Sequence, residues 1–266
     1  MNGFHAQQIL PGVWHIADCM GVCMTLLAGS ERALLVDTGY GLENVHAFVR
    51  TLTEKPLTVL LTHAHHDHIL GARWFEETCM LQADLADFAQ YTSVFQRERV
   101  QQQAWGKGLE TPEDFLAAPI AAPKGIEPCS IELGGLTAQI LSCPGHTPGS
   151  AVVYVPQREL LLTADNWNPC TWLFFEQALP VEAYRAHLTD VCRLPFRHVL
   201  CSHQPVLYER EALEAFLSGI SDEALMQAHP VDMGRTTDTR EVYPAPGMNF
   251  VFDWGKSALA KKERNA

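Results

Sequence analysis

Short runs dense in apolar and β-branched residues, each closed by Gly, Pro or Asp, recur along this chain at 13–17, 24–28, 33–36, 58–62, 137–141, 151–155, 159–163 and 198–201. Runs of that length, ended by residues that favour turns, predict β-strands. Between several of them the apolar spacing changes to three and four: Leu42, Val45, Phe48, Val49 and Leu52; Val181, Tyr184, Leu188 and Val191; Leu213, Phe216, Leu217 and Ile220. That spacing lines up one face of a helix. Strands come first and then alternate with helices, which predicts an α/β architecture of sheets covered by helices.

One stretch departs from the pattern. Residues 85–128 carry Tyr91, Phe95 and Trp105 among glutamines and charges, then turn rich in Ala and Pro at 117–123. It reads as a helical excursion with a surface loop, or as a cap that narrows an active site and selects substrates. Residues 258–266 read as a frayed polar tail.

Composition narrows the class. A chain of 266 residues with 47% hydrophobic and 19% charged content fits one globular unit, so 1–266 are read as a single domain with a helical insertion at about 85–128. The net charge of −12 offers no basic footprint for a phosphate backbone, which argues against nucleic acid. No window approaches the roughly 20 apolar residues that span a bilayer. Residues 1–10 have neither a basic start nor a continuous apolar stretch, unlike a secretory leader. A cytoplasmic protein acting on a small molecule is the expectation. The eight cysteines contain no CxxC pair in a chain too long to need disulfide staples, so they read as buried free thiols.

The chemistry concentrates in Leu61-Thr62-His63-Ala64-His65-His66-Asp67-His68, directly after the apolar run at 58–61. In an extended segment alternate side chains share a face, which groups His63, His65 and Asp67; a helix starting near Asp67 swings His68 beside them. Burying several unpaired imidazoles is costly unless something coordinates them. His66, between these positions, is read as a non-ligand. Three further candidates each end or follow a strand: His146 in a Pro- and Gly-fixed turn, Asp165 after the strand at 159–163, and His203 after the strand at 198–201. Singly they have plain alternatives: a turn residue, a helix cap and a core histidine.

The ordered set His63-x-His65-x-Asp67-His68, His146, Asp165 and His203, with Asp37 in Leu35-Val36-Asp37-Thr38-Gly39, resembles the five-motif signature of the metallo-β-lactamase superfamily. The resemblance runs from about residue 13 to 205. It implies a four-layer αβ/βα sandwich, two mixed sheets face to face with helices outside and metals at one sheet edge. It implies that His63, His65 and His146 bind one metal, Asp67, His68 and His203 a second, and that Asp165 bridges them. Asp37 would act from behind the ligands. Imidazole and carboxylate donors without thiolates suit two divalent ions, with Zn2+ the default and Fe2+ or Mn2+ the alternatives. Two such ions about 3.5–4 Å apart lower the pKa of a shared water toward ~7, which supplies a hydroxide nucleophile. Asp67 and Asp165 are then the catalytic carboxylates, Asp67 as proton shuttle.

A bridging aspartate at 165 resembles glyoxalase II and lactonases rather than zinc β-lactamases, which lack it. Glyoxalase II itself carries a C-terminal basic helical domain, and few residues follow His203 here. Trp167, Trp172, Phe174 and Phe175 follow Asp165 closely, as core packing or as a pocket wall suited to an apolar acyl group. The expected activity is metal-dependent hydrolysis of a small ester, thioester or lactone. The alternatives are a mononuclear iron persulfide dioxygenase and a phosphodiesterase or nuclease of the same superfamily.

Overall fold

A computed structural model describes residues 3–234 and 237–264. The first sheet runs in sequence order: β1 (His5–Leu10), β2 (Val13–Ala17), β3 (Cys23–Ala28), β4 (Ala33–Val36), β5 (Leu57–Leu61), β6 (Cys79–Leu81) and β7 (Lys124–Ile126). Its first four strands are antiparallel and the last four parallel. Parallel neighbours need crossovers. These are α1 (Val45–Leu52), then α2 (His66–Ile69) with a short 3-10 turn, then α3 (Leu85–Tyr91) and α4 (Val94–Gly106).

The second sheet takes β8 (Cys129–Glu132), β9 (Thr137–Ser142), β10 (Ala151–Val155) and β11 (Leu160–Ala164). The chain then makes β12 (Cys170–Leu173) and α5 (Val181–Val191), and returns to pair β13 (His198–Cys201) parallel to β11, with β14 (Tyr208–Glu209) at the edge. After α6 (Arg210–Gly219) and α7 (Asp222–Met226) come β15 (His229–Pro230), β16 (Thr239–Val242) and β17 (Asn249–Asp253). They form a third sheet with β12, ordered β12-β17-β16-β15. The chain ends in α8 (Ala258–Arg264).

Strand alternation sorts the core into layers. Leu34, Val36 and Leu60 of the first sheet meet Val153, Val155, Leu160, Leu162 and Leu200 of the second. The intervening Ala33, Leu35, Val59 and Leu61 turn outward under Val45 and Val49 of α1 and Phe88 of α3. On the far side, Val152, Leu161 and Val199 lie under Tyr184 and Leu188 of α5 and Phe216 of α6. This is the four-layer αβ/βα sandwich. The third sheet joins that outer layer through Leu173, Phe250 and Phe252.

Three expectations change. Residues 258–264 are not a frayed tail: α8 buries Leu259 and Ala260, and Glu182 Oε1 accepts from Ala258 N at 2.9 Å; 265–266 lie outside the described residues. The 85–128 stretch is helical through α3 and α4, but 124–126 belong to the first sheet as its edge strand. The thiols are all free but not all buried. Cys129 and Cys170 are exposed, while burial pushes the Cys143 and Cys201 thiols up to about 12, leaving them inert at neutral pH. Among the described residues no helix is long and apolar enough to cross a membrane.

The carboxyl ends of β4, β5, β9, β11 and β13 open on one edge of the sandwich. Two hydrogen bonds join the sheets there, Ala151 N to Thr62 O at 2.9 Å and Cys23 N to Ser202 O at 2.7 Å. The loops that follow those strands therefore converge.

Candidate metal centre

At the end of β4 the chain turns through Asp37, which takes a left-handed φ of 66° that aspartate tolerates better than most residues. Its Oδ1 accepts from Thr62 N at 2.7 Å; its Oδ2 accepts from Thr62 Oγ1 at 2.9 Å and lies 2.9 Å from His68 Nδ1. One carboxylate thus fixes both ends of the histidine loop. After β5 ends at Leu61 the loop is not strand, and His65 caps α2 by accepting from His68 N at 3.0 Å. His63 and His65 consequently aim to one side, and Asp67 and His68 to the other.

At the end of β11 the pairing with β13 slips between Leu162 and Ala164, and Ala164 is left-handed at φ 48°. A bulge of this kind re-aims the next side chain. Here it turns Asp165 into the cluster. Asp165 Oδ2 lies 3.0 Å from His203 Nε2, 3.4 Å from His68 Nε2, 3.6 Å from His146 Nε2 and 4.0 Å from His63 Nε2.

Two donor sets result, His63, His65, His146 and Asp165, and Asp67, His68, Asp165 and His203, each with its ligand atoms within 4.8 Å of one another. The outward nitrogens fix the tautomers. His146 Nδ1 faces Trp172 O at 2.7 Å, His68 Nδ1 faces Asp37, and His63 Nδ1 lies 3.0 Å from Thr62 Oγ1, whose own proton goes to Asp37. Each of these imidazoles therefore has a proton on its outward nitrogen: His63 and His146, held neutral, turn a bare Nε2 inward, whereas His68 turns its Nε2 toward Asp165 and Asp67 at 3.4 and 3.5 Å and bares it once a cation displaces its second proton. His63 Nε2 and His68 Nε2 are buried with no hydrogen-bond partner. Leaving such atoms unpaired costs about 1–3 kcal/mol each, and a divalent cation is the partner that their lone pairs fit. The residues fit the metals that the motif implies.

Electrostatics separate the two sets. Burial holds His63, His65 and His146 below the ordinary histidine range, so they stand neutral and ready to coordinate. Burial acts the same way on His68 and His203, but Asp165 and Asp67 outweigh it and raise both. Burial would raise Asp67 and Asp165, and the charges of His68 and His203 instead hold both well below the usual carboxylate range.

Several groups around the donors have no sequence motif. Asp84, fully buried, accepts from Ala64 N at 2.8 Å and Thr147 Oγ1 at 2.9 Å through Oδ2, and from Gly149 N at 2.6 Å through Oδ1. It ties the histidine loop to the His146 turn. Gln177 Nε2 lies 2.9 Å from His65 Nε2 and donates to Tyr91 Oη at 2.6 Å. With His65 Nδ1 bare as a ligand, Nε2 carries the proton, and a half-turn of the Gln177 amide gives that proton an acceptor.

The aromatic residues expected near the site divide. Trp167 is fully buried in the core and Phe174 is 2% exposed, so neither lines a pocket; Trp167 packs edge-on to Tyr208. Phe175 lies 4.5 Å from the His65 ring and 5.3 Å from the His146 ring. Trp172, 44% exposed, sits 6.5 Å from Phe175. His66 lies outside both donor sets, stacked 6.4 Å from Tyr91.

A model of the metallo-beta-lactamase superfamily matches residues 18–187. The acyl-coenzyme A thioesterase MBLAC2 of Gallus gallus is 25% identical over 158 residues, 53% of this chain and 55% of that protein. The chain thus spans little more than half of that relative's length. Among solved structures, the metallo-beta-lactamase from Pontibacter korlensis superposes with a TM-score of 0.56 at 17% identity, covering 81% of this chain and 97% of the other. TTHA1623, in a di-iron-bound form, gives a TM-score of 0.55 at 26% identity over 73% of this chain and 92% of the other.

Proposed function

The chain belongs to the metallo-β-lactamase superfamily, and from that premise we propose that it is a dinuclear metallo-hydrolase that cleaves an acyl thioester, ester or lactone. The observation that carries the reading is that Asp165 belongs to both donor sets, with a buried imidazole nitrogen that finds no hydrogen-bond partner on each side, His63 Nε2 and His68 Nε2. Divalent cations held there supply Lewis acidity, which makes water a nucleophile at neutral pH and polarises a carbonyl. His63, His65 and His146 would hold one and Asp67, His68 and His203 the other, with Asp165 common to both donor sets. Zn2+ suits this donor set; the likeness to TTHA1623, described in a di-iron-bound form, makes iron the alternative.

The chain's own groups do the rest. Asp37, Thr62 and the carbonyl of Trp172 keep three imidazoles in the coordinating tautomer. Asp67, ionised at neutral pH and facing His68 and His203 at 3.5 and 3.6 Å, takes the proton of the attacking water and passes it to the leaving group. Phe175 and Trp172 give the first donor set an apolar wall, which favours an acyl group over a highly charged substrate. Similarity to an acyl-coenzyme A thioesterase supports a thioester as the bond.

The test is a panel of acyl thioesters, esters, lactones, β-lactams and phosphodiesters, run on metal-quantified protein with and without chelator. Thioester or lactone turnover that chelator abolishes and metal restores is expected. His63→Ala should lose metal and turnover together, whereas Asp67→Asn should lose turnover and keep the first metal. Full turnover in metal-free protein, or no acyl hydrolysis at two metals per chain, overturns the proposal.

A further inference from the structure

Lys256 closes the 3-10 turn after β17, beyond the stretch matched by the superfamily model and distant in sequence from every donor. Its ammonium donates to three carbonyls of one short segment: Phe175 O at 2.8 Å, Glu176 O at 2.7 Å and Ala178 O at 2.9 Å. An ammonium has three protons, and all three converge here in charge-assisted bonds. Such a cradle fixes the path of the segment it gathers.

That segment carries the groups behind the first donor set. Gln177, between the bound carbonyls, faces His65 Nε2; the Phe175 ring lies against both His65 and His146. The strand leading into it is held from the same side. β12 pairs parallel with β17 from Cys170↔Asn249 to Leu173↔Phe252, and Trp172 O, on β12, faces His146 Nδ1. The donors His65 and His146 are thus oriented by a wall whose own position is set by residues 249–256.

We infer that Lys256 is a positioning residue for the first donor set, gathering the carbonyls of Phe175, Glu176 and Ala178 so that Gln177 and Phe175 hold the His65 and His146 rings in coordinating orientation. The inference rests on the two-metal reading of the site. The turn bearing Lys256 has anchors of its own: Trp254 is buried, and Ser257 Oγ donates to Glu182 Oε1 at 2.5 Å. Replacing the ammonium therefore leaves the turn in place and frees only the segment it holds.

The experiment loads the full-length protein with Co2+ and follows its loss to a chelator by absorbance. Lys256→Met is placed in two backgrounds: His203→Ala, where the first donor set alone is intact, and His65→Ala, where the second retains all its ligands. In the first background Lys256→Met should speed Co2+ loss about tenfold, the scale found when the outer partner of a metal ligand is removed, and Lys256→Arg should restore most of the retention. In the second it should change nothing. Adding Gln177→Leu should make the further effect of Lys256→Met smaller than it is alone, leaving the part carried by Phe175. Unchanged Co2+ loss in the His203→Ala background, or equal acceleration in both, overturns the inference. Failure of the wild-type protein to bind Co2+ overturns the metal centre itself.

Discussion

Asp84 stands at the first position before α3, where an acidic side chain ordinarily caps the helix, yet its carboxylate makes no capping bond. Both oxygens instead reach the loops that carry His63, His65 and His146. Asp84→Ala would leave Ala64 N and Gly149 N buried without an acceptor and the Thr147 hydroxyl with Ser150 Oγ alone, a loss of about 2–6 kcal/mol. Denaturant unfolding of the metal-free protein should show that loss, and the variant should hold fewer than two metals at saturation; wild-type stability with two metals would refute the role. The donors themselves are legible from sequence, because His63, His65, Asp67 and His68 lie within six residues and the other three close short strands. Asp84 and Gln177 are not legible. Each is an isolated polar residue whose meaning comes only from burial beside a loop that is remote in sequence.

At the scale of elements, the strands that read clearly are those apolar on both faces. β4 and β10 lie between a helical layer and the opposite sheet, and their bounds match the apolar runs at 33–36 and 151–155. α5 likewise starts and ends where the spacing of Val181, Tyr184, Leu188 and Val191 places it. β1 and β12 escape that reading because each is an edge strand with exposed positions, and a half-exposed strand of four to six residues carries little periodic signal. β12 nonetheless matters to the site, since its backbone serves His146 while the exposed Trp172 ring lies 6.5 Å from Phe175. Trp172→Ala keeps the carbonyl and removes the ring. It should leave both metals in place and raise KM for a long-chain acyl substrate about tenfold, with kcat little changed, which corresponds to ~1.4 kcal/mol of lost apolar burial. Steady-state kinetics across acyl lengths would check this; an equal effect on acetyl and long-chain substrates would show that the ring is not a chain-binding wall.

For the molecule as a whole, the proposed two-metal centre would couple metal binding to folding through protons. His63, His65 and His146 are held neutral by burial; the unfolded chain protonates them below 6.5, so their contribution is present above that value and lost as pH falls. Asp67 and Asp165, depressed by their histidine neighbours, stabilise above 3.8 and lose that contribution as pH falls through their lowered values. His68 and His203 have the opposite sign. Raised by Asp165 and Asp67, they stabilise the metal-free protein fully below 6.5 and lose this as pH rises through their folded values. Coordination requires all five imidazoles bare, so cations must displace protons that His68 and His203 hold firmly in the metal-free protein at mildly acidic pH. Bound metal should therefore raise the melting midpoint strongly at about pH 7.5 and much less at about pH 5.5, where the imidazole protons compete. The second metal, whose set contains both raised histidines, should leave first as pH falls, with the first retained by nitrogens that burial already keeps bare. Thermal melts with and without chelator, paired with metal stoichiometry after dialysis across that range, measure both effects. A metal-dependent gain as large at about pH 5.5 as at about pH 7.5 would show that these protons are not the ones displaced.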